Sequence, residues 1–169
     1  MIQRSLDLMP FFPHQSEILV SPQSKAEVMS NLGKVTKNMN FLAYNALKQN
    51  THLFNGLIKE NSFSISLVID RADSFLPLIK GKIEDTPMGS ILFLSYSLFP
   101  SSAFFLGFWN VVSLLLSLFF GLINEKYMYA VICLGFAFLN YGFAWAHFKR
   151  KIKISQEVFH QILETKKTE

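Results

Sequence analysis

The sequence predicts an α+β membrane protein: a small antiparallel sheet with one N-terminal helix, a two-helix transmembrane hairpin and a short C-terminal amphipathic helix. Three observations predict it. Apolar and polar residues alternate in two segments between residues 62 and 99, two long runs lack Asp, Glu, Lys and Arg, and a basic cluster follows the second run at once. Alternation is typical of half-buried strands, and uncharged apolar runs of about 18 residues or more are typical of membrane helices. We therefore divide the chain into a cytoplasmic domain (1–99), a hairpin (100–148) and a C-terminal segment (149–169).

The first 40 residues are predicted to contain an irregular lead-in and then one helix. Two prolines interrupt residues 1–16, which also lack the continuous apolar core of a secretory signal peptide. A helix is expected to begin at Ser21 or at Ser24, where Glu27 stands at the spacing of a capping box. Apolar residues then recur every three or four positions, and we expect the helix to end near Asn40.

The strands are recognised from alternation and from the turns that separate them. They are predicted at residues 16–20, 52–58, 62–69, 75–83 and 90–99. In residues 62–69 the apolar positions Phe63, Ile65, Leu67 and Ile69 alternate with Ser62, Ser64 and Ser66. Because successive side chains of a strand point to opposite faces, we expect the apolar set to face a helix that contains Met29 and Leu32.

Two apolar segments follow the predicted sheet. Residues 101–123 would form a helix about 34 Å long and residues 127–148 one about 33 Å long, both sufficient for a hydrocarbon core of roughly 30 Å. The three-residue linker between them requires antiparallel neighbours. Two buried core helices of a soluble protein are the alternative, but a chain of 169 residues has little mass to cover them.

Polar and small residues predict how the two helices pair. Asn110 and Asn140 are level in depth, and we expect a hydrogen bond between them. The helix-pairing residues are predicted to be Asn110, Ser113, Ser117, Gly121, Cys133, Ala137, Asn140 and Ala144. A second small-residue face predicts contact with another subunit or a second copy, through Gly135, Gly142 and Ala146.

The basic cluster predicts orientation and contact with lipid. It consists of Lys149, Arg150, Lys151 and Lys153. Since Lys and Arg concentrate on the cytoplasmic side, we expect a bacterial inner-membrane protein with both termini in the cytoplasm. The same residues are expected to contact anionic lipid headgroups, either as a non-specific attraction or as a site for one lipid.

No motif in the chain names a reaction. Phosphate-binding, dinucleotide-binding, zinc-protease and nucleophile-elbow motifs are absent from the sequence, and its four histidines are scattered. Cys133 is the single cysteine. We therefore expect no catalytic residue, no cofactor and no metal. A nucleic-acid partner is not expected either, because no basic stripe is interleaved with aromatic residues.

One stretch resembles a known family. The residues that carry the resemblance are Phe54-x-Gly56, Phe63-x-Ile65, Asp73-Ser74-Phe75-x-Pro77-x-Ile79-x-Gly81 and Gly89-Ser90-x-Leu92. They are similar to a family of small uncharacterised bacterial membrane proteins with an NSFxPxIxG strand, a GTxI strand, two membrane helices and a short C-terminal helix. The chain has Asp73 for the family's Asn and Ser90 for its Thr. The resemblance implies the fold and implies no activity.

Three functional hypotheses follow from these observations. The first, which the sequence favours, is a non-enzymatic interaction or assembly protein whose sheet domain meets a protein partner or the membrane surface. The second is a lipid- or small-ligand-binding protein, in which the sheet forms an apolar cup beside the bilayer. The third is an enzyme, which ranks last because no nucleophile–base pair or metal-ligand set is visible.

Overall fold

The α+β class is confirmed by a computed structural model, which describes residues 12–38, 52–69 and 73–164. The described part contains a six-stranded sheet and three α-helices. In chain order the elements are β1 (His14–Ser21), α1 (Lys25–Val35), β2 (Thr36–Asn38), β3 (Phe54–Lys59), β4 (Ser62–Leu67), β5 (Pro77–Thr86), β6 (Gly89–Leu98), α2 (Pro100–Leu118), a π-helical turn (Phe119–Ile123) and α3 (Tyr127–Glu164). Residues 1–11 of the predicted lead-in lie outside the described residues.

The sheet has the strand order β1-β6-β5-β4-β3-β2. The neighbours from β1 to β3 are antiparallel, whereas β2, which was not predicted, runs parallel to β3. The prediction of an antiparallel sheet is therefore right for five strands and wrong for the sixth. Alternation works as expected at the centre of the sheet, where Phe63, Ile65, Leu92, Leu94 and Tyr96 are buried on one face. We call this the core face and the opposite side the outer face.

Along the chain, the helix α1 follows β1 and precedes β2. Ser24 caps it and forms a capping box with Glu27, and its buried residues are Val28 and Leu32. Because β1 precedes it, the prediction of a sheet with an N-terminal helix does not match the structure. The helix also ends at Val35 and not near Asn40, since the chain then leaves it to pair with β3.

The helix α3 is unbroken over 38 residues. The prediction of a separate short C-terminal helix is wrong, because the basic cluster continues the helix without interruption. Ser155, just after the basic cluster, is buried within α3. The buried residues Phe148, Ile152 and Phe159 belong to the same hydrophobic core as the core face of the sheet. This core is thus closed by α1 and by the C-terminal half of α3.

Two helical segments are long enough and apolar enough to cross a membrane. They are Pro100–Ile123, with 24 residues, and Tyr127–Ile162, with 36 residues. Only 11% and 17% of their most apolar windows are buried, whereas the core helix of a soluble protein would be mostly buried. The two apolar helices therefore suggest a membrane association.

Candidate functional site

A cavity of about 670 Å³ lies between the outer face of the sheet and the first turns of α2. This volume is within the range of about 300–1,000 Å³ that is usual for small-molecule sites. The described residues that line it are Phe12, Pro13, His14, Leu78, Lys80, Ser97, Leu98, Pro100, Ala103, Phe104, Gly107, Phe108 and Val111. Most of them are apolar, and Lys80 is the one formally charged residue among them.

Strand register places the polar residues of this cavity side by side. Leu78 of β5 pairs with Ser97 of β6, which pairs with His14 of β1. Two residues further along β5, Lys80 pairs with Ser95 on the same face of the sheet as Leu78 and Ser97. Directly opposite residues of neighbouring strands lie about 4.5–5.5 Å apart at their Cβ atoms. The sheet therefore presents a small polar surface at the end of the cavity away from α2.

The apolar wall of the cavity comes from the start of α2. Pro100, at the first position of the helix, ends β6 and turns the chain into α2. Ala103, Gly107 and Val111 follow at four-residue spacing and share one helix face. A Cβ atom added at Gly107 would lie 3.2 Å from the ring of Phe12, so the glycine allows this ring to approach the helix. On this face the cavity wall is therefore formed by Ala103, Val111 and the Phe12 ring that lies against Gly107.

The polar groups at the cavity differ in whether they have partners. His14 Nε2 lies 3.0 Å from Ser95 Oγ, so these two side chains hydrogen-bond to each other. Lys82, two residues along β5, forms an ion pair with Glu84 at 2.6 Å. Within the described part of the chain, no ion pair involves Lys80. A half-buried lysine beside an apolar cavity can hold the anionic end of a ligand.

A second polar cluster lies on the core face and joins β1 to α3. The Tyr96 hydroxyl donates to Glu17 at 3.0 Å, and Gln156 Nε2 donates to the same carboxylate at 2.8 Å. His160 Nε2 lies 3.2 Å from the other carboxylate oxygen, close enough for an ion pair when the imidazole is protonated. Burial raises the pKa of the Tyr96 phenol, and the negative charge of Glu17 raises it further. Tyr96 therefore stays a hydrogen-bond donor, and the cluster fastens the sheet to the helix.

Several residues of the predicted helix-pairing face are buried or contact the other helix of the hairpin. Ser113, Ala137 and Ala144 are buried. Ser117 Oγ donates to the Ala130 carbonyl across the hairpin at 2.9 Å, and Gly121 also lies against Ala130.

The predicted bond between the two asparagines of the hairpin is not formed. Asn110 Nδ2 donates to the Leu106 carbonyl of its own helix at 2.7 Å, and among the described residues it makes no hydrogen bond to Asn140. A carbonyl four residues earlier in the same helix satisfies the amide, so no partner across the hairpin is required. Asn140 and Cys133 are half-buried.

The predicted subunit-contact face is open in the single chain. A Cβ atom added at Gly135 or Gly142 would have no neighbour within 4 Å, and Ala146 is exposed. Contact of this face with another subunit stays a prediction.

The four residues of the basic cluster differ in their exposure and in their contacts. Arg150 and Lys153 are exposed, and Lys149 lies over the Trp145 ring, 5.3 Å from its centroid. Lys151, by contrast, forms an ion pair with Asp73 at 2.7 Å. The charge of Lys151 is thus neutralised by Asp73 in the connection between β4 and β5, and contact of the four residues with lipid stays a prediction.

Asp73 is held in its charged form. Burial acts to raise the pKa of Asp73, but hydrogen bonds from Lys151 and from the Phe75 N–H, together with the positive charge of Lys151, outweigh it. The pKa of Asp73 therefore lies below its ordinary value. This carboxylate acts as a structural anchor between the sheet and α3.

In residues 12–38, 52–69 and 73–164, no group of three or more His, Cys, Asp or Glu residues could hold a metal ion.

Comparison of the chain with family models, curated proteins and solved structures found no match. The resemblance of the strand motif to a membrane-protein family therefore stays a prediction.

The cavity was not predicted as a specific site, although the spacing of Ala103 and Gly107 signals a helix face with room beside it.

Proposed function

We propose that the chain is a two-pass membrane protein that binds the apolar chain of a lipid-like amphiphile, without catalysing a reaction, in the cavity between the sheet and α2. The observation that carries this proposal is the composition of the cavity, which has an apolar wall on α2 and a polar end on the sheet. An amphiphile has the same division into an apolar and a polar part. His14 hydrogen-bonds to Ser95 beside the cavity, but no described group hydrogen-bonds to the other nitrogen of this imidazole to orient it as a base, which favours binding over catalysis.

The proposal includes a placement in the bacterial inner membrane, with both termini in the cytoplasm. Arg150 and Lys153 are exposed directly after the second apolar stretch, whereas the loop with Glu125 and Lys126 carries no net charge. Such an excess of basic residues favours the cytoplasmic side.

Cysteine labelling tests this orientation. In a Cys133→Ala background, Glu125→Cys should react with an impermeant reagent in intact cells, and Lys153→Cys should react only after lysis. The opposite pattern would show that the orientation is reversed.

This placement gives the cavity a depth in the bilayer. From Pro100 to Val111 the helix rises about 17 Å, which is more than half of a hydrocarbon core of roughly 30 Å. The wall formed by α2 would therefore lie among acyl chains, and the polar end on the sheet would lie toward the cytoplasm. An amphiphile in the cavity would keep the orientation that it has in the bilayer.

Filling the cavity tests the proposal. The protein would be purified in mild detergent, and bound lipids would be identified by native mass spectrometry. Gly107→Leu and Val111→Trp should each lose most of the bound amphiphile, because both enlarge a side chain on the cavity wall. Gly135→Leu and Val131→Trp are matched controls, since these positions of α3 are not among the lining residues and have open space or exposed side chains. Equal retention in all four variants would reject the site.

A second candidate is the interaction or assembly protein that the sequence favours. It is supported by the outer face of β1 and β6, where Ile18, Val20 and Phe93 are 66%, 77% and 40% exposed. β1 is also an edge strand, and edge strands offer unpaired backbone groups to a partner. A partner subunit that co-purifies with the wild type but not with Ile18→Ser/Val20→Ser, while the lipid is retained, would favour this function.

A further inference from the structure

Lys80 gives the cavity a chemical preference for one end of its ligand. Its side chain is half-buried in the cavity lining and carries a positive charge that no described carboxylate pairs with. Lys82 lies on the same face of β5, but Glu84 neutralises it. The strand therefore presents one paired ammonium group and one that no described carboxylate pairs with, and the second is at the cavity.

Hydroxyl and imidazole groups surround this cation. In the sheet register Lys80 lies between Ser64 of β4 and Ser95 of β6, and Ser95 is hydrogen-bonded to His14. Ser97 also lines the cavity. An ammonium group with neighbouring hydroxyl donors suits a phosphate group, whose several oxygens accept charge-assisted hydrogen bonds.

The depth of Lys80 points to the headgroup of a bilayer lipid. Pro77 pairs with Leu98 at the end of the sheet from which α2 begins, and Lys80 is three residues further along β5, a distance of about 10 Å. The polar region on each side of a bilayer is roughly 5–8 Å thick. A lysine side chain can extend its charged end over such distances while its alkyl part remains against apolar surface.

From these observations we infer that the ligand is an anionic phospholipid of the bilayer, with an acyl chain along α2 and its phosphate bound by Lys80 beside Ser95 and Ser97. This inference rests on the proposed function. It adds to it the class of ligand and the residue that selects it. A lipid without a phosphate, such as diacylglycerol, would offer the positive charge of Lys80 no anionic partner, and a free fatty acid would offer a carboxylate in place of the phosphate.

A competition experiment tests the inference. Delipidated protein in mixed micelles would receive equimolar phosphatidylglycerol, diacylglycerol and oleate, and native mass spectrometry would count the bound species. The wild type should prefer phosphatidylglycerol over diacylglycerol, which has no phosphate, about tenfold, the size expected for one hydrogen bond to a charged group. Lys80→Gln should bring this ratio close to one while total bound lipid is retained. Lys82→Gln is the matched control and should leave the ratio unchanged.

The possible failures are distinguishable. If no lipid binds to the wild type, the proposed function fails, and this inference fails with it. If phosphatidylglycerol and diacylglycerol bind in the cavity in equal amounts, or if Lys80→Gln keeps the preference, the inference alone is overturned. Preferential binding of oleate would also overturn it, since the site would then select a fatty acid.

Discussion

Replacing Phe159 by alanine should destabilise the sheet domain, because this residue closes the core from the C-terminal half of α3. Phe159 is fully buried. Its ring stacks on Phe63 with 5.7 Å between centroids and meets the edge of Phe54 at 6.4 Å. Both partners belong to the core face of the sheet. The substitution therefore removes the contact through which α3 covers the sheet.

The expected loss is large for a domain of this size. A buried phenylalanine replaced by alanine costs about 3–5 kcal/mol, which includes the cavity that it leaves. Two aromatic pairs, each contributing roughly 0.5–1.5 kcal/mol beyond buried area, place Phe159 in the upper part of that range. For a domain of 60–100 residues, 1 kcal/mol shifts Tm by about 4–8 °C, so the drop should be at least about 12 °C.

The measurement is thermal unfolding in detergent, followed by circular dichroism of the sheet. Ile154→Ala is the control on the same part of α3, since Ile154 is 40% exposed, and its Tm should change little. Tryptophan fluorescence provides a second reading, because Trp109 and Trp145 both lie on the apolar helices and report on the hairpin. An equal effect of the two substitutions, or no effect of Phe159→Ala, would show that α3 does not close the core.

Three further predictions concern other contacts. Asp73→Asn should destabilise the protein at neutral pH by leaving Lys151 unpaired. Because the pKa of Asp73 is lowered on folding, the difference in free energy of unfolding between wild type and variant should shrink as pH falls below about 4 toward the lowered pKa. A difference that stays constant with pH would contradict this. Gly81→Ala should cost about 1–3 kcal/mol, since the added methyl group would meet the Phe63 ring, and Gly33→Ala, at a site with open space, is the control for thermal unfolding. Ser117→Ala should weaken the hairpin by roughly 0.6–2 kcal/mol in denaturation by strong detergent, and no change would mean that its bond to the second helix is unimportant.

The elements that could be predicted from sequence are those whose signal is local. Alternation in β4 and β6 fixes which side chains enter the core, because side chains of a strand point to opposite faces regardless of the partner. The capping box of Ser24 and Glu27 is likewise contained in four consecutive residues. The apolar length of the hairpin helices follows from composition alone.

The features that sequence reasoning missed depend on distant partners. β2 has three residues and exists because β3 offers it an edge, so no local pattern marks it. A basic cluster after an apolar run suggests a helix that leaves the membrane and ends, yet α3 continues past Lys151, which pairs with the distant Asp73, and its residues Ile152 and Phe159 pack in the core. Similarly, Asn110 finds an acceptor within its own helix, whereas depth alone suggested a partner across the hairpin.

The continuity of α3 also determines what kind of site the cavity is. The helix is about 57 Å long, and contacts at several points along it hold the sheet: Phe75 packs near Phe143 and His147, Lys151 pairs with Asp73, and Gln156 bonds to Glu17. Since α2 packs against α3 through Ser117 and follows β6 without a linker, the strand ends and the first turns of α2 are held in one arrangement. The cavity between them is therefore formed before a ligand arrives. If the cavity binds the proposed ligand, a preformed site would lose little conformational entropy on binding.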